Sequence, residues 1–145
     1  MKKLLFLLVC LFTMQTVVRA DDDKPIEMSQ MPQIAQTFIK QHFADRKIAL
    51  SKMESDFFQK SYEVIFTDGD KVDFDKKGNW TEVNCKHSSV PVAVIPAPIL
   101  TYVKKTYADT KVLKIERDDK DYEVALSNRM ELKFDTQFKL IDIEK

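Results

Sequence analysis

The sequence has little of what most active sites are built from: two glycines, Gly69 and Gly78, two histidines, His42 and His87, and two cysteines, Cys10 and Cys85, in 145 residues. Two separated glycines cannot assemble a phosphate-cradling loop or a dinucleotide fingerprint, which need several glycines within one turn. Scattered histidines and cysteines cannot supply a structural zinc set. The carboxylates Asp68, Asp70, Asp73 and Asp75 of DGDKVDFD lack the ligand order and terminal glutamate of a calcium-binding loop. Cys85 and His87 stand two apart, yet the facing assigned below turns Cys85 into the core, away from any substrate. The chain therefore reads as non-catalytic, with no metal and no cofactor.

Long hydrophobic runs are absent beyond residue 20, so no later segment can span a bilayer as a helix. Before it, MKKLLFLLVCLFTMQTVVRA sets Lys2 and Lys3 ahead of an apolar stretch that closes on the small residue Ala20. That is the layout of a cleaved secretory signal, 1–20, and places the chain outside the cytoplasm. Cleavage removes Cys10, so a lone Cys85 remains and the fold cannot be stapled internally. It also removes Lys2, Lys3 and Arg19, leaving 20 basic against 23 acidic residues, a net charge of −3. Such a chain is a poor ligand for nucleic acid or for anionic membranes. DDDKPIEMSQ, 21–30, reads as a flexible start.

What the chain does have is self-similarity. PQIAQTFIKQHFADRKI from Pro32 lies over PAPILTYVKKTYADTKV from Pro96 at an offset of 64, and Lys52-Met53-Glu54 over Lys114-Ile115-Glu116 at 62. YEVIFTDGDKVDFDKKGNW (62–80) lies over YEVALSNRMELKFDTQFKL (122–140) at 60. Each copy opens with a proline suited to a first helical turn. Apolar residues at helical spacing follow, namely Ile34, Phe38, Ile39 and His42 or Phe43, then Ile99, Tyr102, Val103 and Tyr107. Past Ala44-Asp45 and Ala108-Asp109 the period becomes two. The fold class is α+β: two tandem repeats, each one helix followed by a four-stranded antiparallel sheet. A single domain, 31–145, comprises repeat 31–85, connector 86–94 and repeat 95–145. The connector's β-branched apolar residues argue that it packs on the structure rather than hanging free. Asp68-Gly69 marks a two-residue hairpin turn, with Asn128 as the tolerant residue of the second copy.

Alternation assigns the faces. Tyr62, Val64, Phe66, Val72, Phe74 and their counterparts lie against the helices, as do Thr81, Val83, Cys85, Ile141 and Ile143. The open face carries Glu63, Ile65, Lys71, Asp73, Trp80, Glu82, Glu123, Ala125, Glu131, Lys133, Leu140 and Asp142. An antiparallel sheet can leave such a face to solvent. Trp80 in a polar rim is either a structural aromatic beside a turn or the anchor of a partner.

The Pro-led helix, the Lys-Met/Ile-Glu strand, the Tyr-Glu-Val and Phe-Asp strands and the Gly-x-Trp turn, repeated behind a signal, resemble the PepSY-like periplasmic proteins. Their tandem unit is similar to the β-lactamase inhibitor protein fold. The resemblance covers about residues 31 to 145 and implies an exported protein without enzymatic activity that inhibits peptidases or other envelope enzymes. Inhibitor-type relatives carry disulfides, which one cysteine cannot form. The expected function is a protein-binding module whose partner is a protein or peptide of the cell envelope. It would engage that partner through the open face at Trp80, Ile65 and Leu140 and the hairpin tips at Asp68, Asn128 and Arg129. A carrier of a small ligand or peptide, with a pocket between the two half-sheets, is the alternative. Intact-mass analysis of the exported protein is expected to show a mature form that begins at Asp21; a species retaining residues 1–20 contradicts this.

Overall fold

The computed structural model describes residues 23–56 and 59–145; the segment expected to be a cleaved signal lies outside the described residues. Strands β1 (Lys24–Pro25), β2 (Ile48–Ser55), β3 (Lys60–Phe66), β4 (Lys71–Phe74), β5 (Trp80–Asn84), β6 (Val112–Arg117), β7 (Asp121–Leu126), β8 (Glu131–Asp135) and β9 (Leu140–Glu144) form one nine-stranded sheet. Every pairing is antiparallel and joins chain neighbours. Helix α1 (Gln33–His42) precedes β2 and helix α2 (Ala97–Thr106) precedes β6. The two expected repeats are present, and the β5–β6 pairing fuses their half-sheets into a continuous open sheet.

The prolines sit one position earlier than expected, at the N-caps: Pro32 has φ −54° and Pro96 φ −53°. Proline still suits the place, because its φ is preset and its missing N–H is one that no helix would use. Both helices carry basic residues in the last turn, Lys40 and His42 in α1 and Lys104 and Lys105 in α2, where they complement the helix dipole. Helix α1 buries Ala35 and Ile39, and Ile34, expected in its apolar stripe, is instead 55% exposed. Helix α2 buries Ile99 and Val103. Beneath them lie Val64, Phe66, Val72, Phe74, Val83 and Cys85 of the first repeat and Ile115, Val124, Leu126, Leu132 and Phe134 of the second. These are the alternating positions expected to face the helices, and burying each stabilises the fold by roughly 1.5–3 kcal/mol for a Val, Leu, Ile or Phe.

Four hairpin turns share one geometry. In each, the fourth residue donates back to the first, as in Gly69 N–H to Phe66 O, Gly78 N–H to Asp75 O, Arg129 N–H to Leu126 O and Phe138 N–H to Asp135 O. That fourth residue is left-handed, with φ of 95° at Gly69 and Gly78, 72° at Arg129 and 65° at Phe138. The loops are thus three residues long with a left-handed close, where a two-residue turn was expected at Asp68-Gly69 and its counterpart at Asn128. The left-handed residue of the second repeat's first turn is Arg129, and Asn128 instead accepts the Met130 N–H on its Oδ1.

Residues 24–30, placed in the expected flexible start, carry structure. Strand β1 pairs Pro25 with Lys52 and Lys24 with Met53, and Ile26 and Met28 pack on the core. The connector packs as expected, with Val90, Val94 and Ile95 buried. Its anchor is Asp70, which is 1% exposed. Asp70 accepts from the His87 N–H at 3.0 Å, from Ser88 Oγ at 2.6 Å and from Arg46 Nη2 at 2.5 Å. Arg46 also pairs with Asp68 at 2.6 Å and lies over the rings of Phe43 and Phe66. Burial opposes the charge of Asp70, but these donors outweigh it and hold its pKa below the ordinary carboxylate value. A depressed carboxylate pKa contributes stability that is present above the unfolded value and lost as pH falls through the folded one. Asp70→Ala, which leaves Arg46 only its Asp68 partner and takes the acceptor from the His87 N–H and the Ser88 hydroxyl, is expected to cost about 2–3 kcal/mol. Asp68→Ala, at a more exposed partner, is expected to cost about 1 kcal/mol or less. Urea melts at neutral pH check both values.

Candidate functional site

With both helices on one side, the other face of the sheet presents the residues that alternate with the core. Register sets them in rows across the strands. Lys52, Glu63, Asp73, Glu82, Glu116, Glu123, Lys133 and Asp142 stand directly opposite one another in succession from β2 to β9. Five consecutive members, Glu63, Asp73, Glu82, Glu116 and Glu123, are carboxylates. Like charges directly opposite across strands destabilise a sheet.

Lysines in and beside this row offset part of the repulsion. Lys71 Nζ lies 3.4 Å from Glu63 Oε2, 3.5 Å from Asp73 Oδ2 and 3.3 Å from Glu82 Oε2. Lys114 Nζ lies 2.6 Å from Glu116 Oε1 and 3.8 Å from Glu82 Oε1. Lys52 and Lys133 close the two ends against Glu63 and Glu123, at 3.7 Å and 3.6 Å. Burial opposes the Lys71 charge, but Asp73, Glu63 and Glu82 together hold its ammonium above the usual pKa.

The lysines leave Asp73 Oδ1 uncovered: it is buried and, among the described residues, no donor reaches it. An unmet buried carboxylate oxygen is costly, and the group responds by taking up a proton. Burial first, then the neighbouring carboxyls of Glu63 and Glu82, push Asp73 up to about 7 against the opposing Lys71, and the protonated form hydrogen-bonds Glu63. Burial and its hydrogen bond with Glu116 also raise Glu82. Glu116 is lowered, because Lys114 and Glu82 donate to it and outweigh its own burial. Within one row, the protonated forms of Asp73 and Glu82 are thus favoured by burial and by their neighbours Glu63 and Glu116. Beside them a groove of about 380 Å³ runs along the joint between the repeats, lined by Asp73, Glu82, Glu116, Asp118, Asp121 and Glu123 together with Thr81, Arg117 and Lys133.

The residues expected to form a common surface do not. Trp80 is only 8% exposed and belongs to the core. A bulge between Asp73 and Phe74 sets Asp73 opposite Glu82 but Phe74 opposite Trp80, so Thr81 is the extra residue. One inserted residue reverses the alternation before it, which turns Trp80 to the helix side and Thr81 to the open groove. There Trp80 contacts the Phe38 ring, and the Arg117 guanidinium lies 3.9 Å from the centre of the Trp80 ring while its Nε donates to the Trp80 carbonyl at 2.8 Å. A second bulge, between Lys133 and Phe134, likewise pairs Phe134 with Leu140 and turns Leu140 to the core side. Ile141 and Ile143, expected against the helices, are 54% and 44% exposed: Ile141 is the residue the bulge inserts, as Thr81 is in the first repeat, and Ile143 lies on the helix side of the last strand of the sheet. Ile65 stays on the open face, opposite Leu50 and Lys71. Trp80, Ile65 and Leu140 therefore line no shared pocket. Asp68, Asn128 and Arg129 occupy exposed hairpin tips, as expected. Cys85 is fully buried, and burial first, then the charge of Asp70, pushes its thiol up to about 11.

Sequence reasoning treated Asp73 as ordinary solvated charge. The signal that would have singled it out lies in the repeat: Glu63 corresponds to Glu123 and Glu82 to Asp142, but Asp73 corresponds to Lys133. Where the second copy sets a lysine between two acids, the first sets a third acid.

A broad antiparallel sheet with both helices on one face and a charged open face defines an α+β protein with one open sheet. Residues 60–142 match the family described as "Putative beta-lactamase-inhibitor-like, PepSY-like", and the chain belongs to this PepSY-like family. Among solved structures it is similar to a "putative calcium-regulated periplasmic protein" of Bacteroides thetaiotaomicron, with 73% identity and a TM-score of 0.86 over 87% of this chain and 99% of that one. It is also similar to a "putative periplasmic protein" of Bacteroides vulgatus, with 66% identity and a TM-score of 0.85 over 87% and 99% of the two chains. A second protein of that species, described as of unknown function, shares 37% identity and a TM-score of 0.79 over 85% and 99%. Comparison with curated proteins gives no match. The chain is a periplasmic protein. No helix among the described residues is long and apolar enough to cross a membrane.

The raised Asp73 has a sign that can be checked. A carboxyl whose folded pKa exceeds its unfolded one contributes stability that is fully present below the unfolded value and lost as pH rises through the folded value. From about pH 4 to about 7, Asp73 therefore makes the fold less stable with rising pH. Asp73→Asn is expected to flatten that part of the pH–stability curve and to be more stable than wild type at pH 8, in urea melts over the range; an unchanged slope contradicts the assignment.

Proposed function

We propose that the protein is a non-catalytic binding module that holds a cationic protein or peptide segment of the cell envelope on the open face of its sheet. Through it, the module inhibits or regulates an envelope enzyme such as a peptidase. The observation that carries the reading is the row of five opposed carboxylates. It is an arrangement that weakens the free sheet and is relieved when lysine or arginine side chains are laid along it. The groove is lined by Asp73, Glu82, Glu116 and Glu123 of the row itself, and a partner's cation near Asp73 would favour its charged form and meet its uncovered buried oxygen. The family's inhibitor-like description agrees with a surface that acts by occupying a partner.

Among the described residues no three acidic, histidine or cysteine side chains are disposed to hold a metal ion, so the reading rests on side-chain cations rather than on an ion. The calcium regulation named for the Bacteroides thetaiotaomicron relative makes calcium the natural competitor in a test. A fluorescent peptide alternating serine and arginine is expected to bind the wild type and to lose about tenfold or more in affinity to the Glu82→Gln/Glu116→Gln double variant. The aspartate counterpart of the peptide is expected not to bind. Equal binding of both peptides, or an affinity unchanged in the double variant, overturns the proposal, as does saturation by calcium alone with no response to the arginine peptide.

A further inference from the structure

The two ends of the sheet are treated differently. At one end β1 is two residues long and contains Pro25, which blunts the edge in two of the ways by which natural sheets avoid unwanted pairing. At the other end β9 runs five residues and exposes Ile141 and Ile143, and among the described residues nothing pairs with its outer side. The Ile143 N–H donates to its own neighbour's carboxylate, Asp142 Oδ1, at 2.9 Å.

The internal repeat shows what such a strand accepts. At an offset of 60, Asp142, Ile143 and Glu144 of β9 correspond to Glu82, Val83 and Asn84 of β5, and the pairings inside the sheet agree, since Ile143 faces Leu132 as Val83 faces Val72. The outer edge of β5 is occupied by β6, antiparallel, with Ile115 opposite Val83 and Lys114 opposite Asn84. The edge of β9 is the same edge without its occupant.

We propose that the outer edge of β9 takes up an antiparallel strand from a partner protein, with an apolar side chain opposite Ile143 and basic side chains opposite Asp142 and Glu144. Main-chain hydrogen bonds supply the affinity of such strand addition, and the alternating side chains supply its selectivity. On the helix side the incoming apolar residue covers Ile143. On the open side its basic residues meet Asp142 and Glu144, with Glu131 directly across from Glu144 on β8. A second copy of this chain is the wrong occupant. Any β9-to-β9 register that keeps both helix layers on one side sets Asp142 or Glu144 against Asp142 or Glu144, and opposed like charges are destabilising.

On the open face the site borders the groove of the proposed function, since Glu116, Glu123 and Lys133 line one cavity with Asp142 and Glu144, and the test tells the two apart by the β9 edge. The probe is a synthetic peptide of residues 111–118, the β6 sequence, carrying Glu116→Lys; its control carries Lys114→Glu instead. The full mature chain is expected to bind the probe, with slowed hydrogen exchange at the β9 amides, and to bind the control at least about tenfold more weakly. Ile143→Lys together with Asp142→Lys, both at exposed positions, is expected to remove binding and β9 protection while leaving the urea midpoint within the range of surface substitutions. The Glu82→Gln/Glu116→Gln variant is expected to bind the probe as the wild type does. Protection confined to β4–β6, equal binding of the control, or sedimentation showing a dimer that the β9 substitutions dissolve overturns the proposal.

Discussion

Three paired positions, Glu82–Glu116, Val83–Ile115 and Asn84–Lys114, carry the sheet from the first repeat into the second. Two backbone hydrogen bonds extend this joint, Cys85 N–H to Leu113 O at 2.7 Å and Val90 N–H to Val112 O at 2.8 Å. Its central pair is fully buried beneath the helices, and Arg117 reaches back over Trp80 at its end. Without the joint each repeat would be a marginal unit of about 60 residues, burying only about 60% of the surface its unfolded chain exposes. The same three pairs set two glutamates against each other on the open side. Attraction on one face and repulsion on the other share a single backbone, so the strand pairing that makes the molecule continuous also brings the acidic row together.

The fold was legible because alternation and the 60-residue offset both survive in the sequence: the apolar positions of β3, β4, β7 and β8 are buried as their spacing dictates. Two bulges were not legible. Each inserts one residue, Thr81 or Ile141, with no compositional mark, and each turned a neighbour, Trp80 or Leu140, to the side opposite the one its spacing implied. The turn at Arg129 was hidden for a related reason, since the left-handed position holds a residue that rarely adopts it while Asn128 beside it is the familiar signal. The acidic row depends on register between β5 and β6, and the chain between them contains a connector and a helix whose paths no local pattern fixes. Glu82 and Glu116 therefore could not be seen as neighbours from the sequence.

The repeats have diverged in what they hold. In the first, a Cβ added at Gly78 would lie 2.8 Å from Pro32 Cβ, because the start of α1 sits directly on that turn. In the second, the equivalent position is Phe138, whose ring instead packs 5.2 Å from that of Tyr122. The Asp70 anchor likewise has no counterpart, since its equivalent is Met130. In the first repeat that hairpin tip fastens the connector through His87 and Ser88. The first copy has thus specialised in attachment to the rest of the chain, and the second in filling its own core.

Strand order that follows chain order has a kinetic side. Each strand closes on the one just before it in sequence, so the loops to be closed are short except where a helix intervenes, and short closures favour rapid assembly. A chain delivered with its N-terminus leading can complete β2 to β5 under α1 before α2 has appeared. The edge of β5 is then left waiting until β6 arrives, as Trp80 is for Arg117.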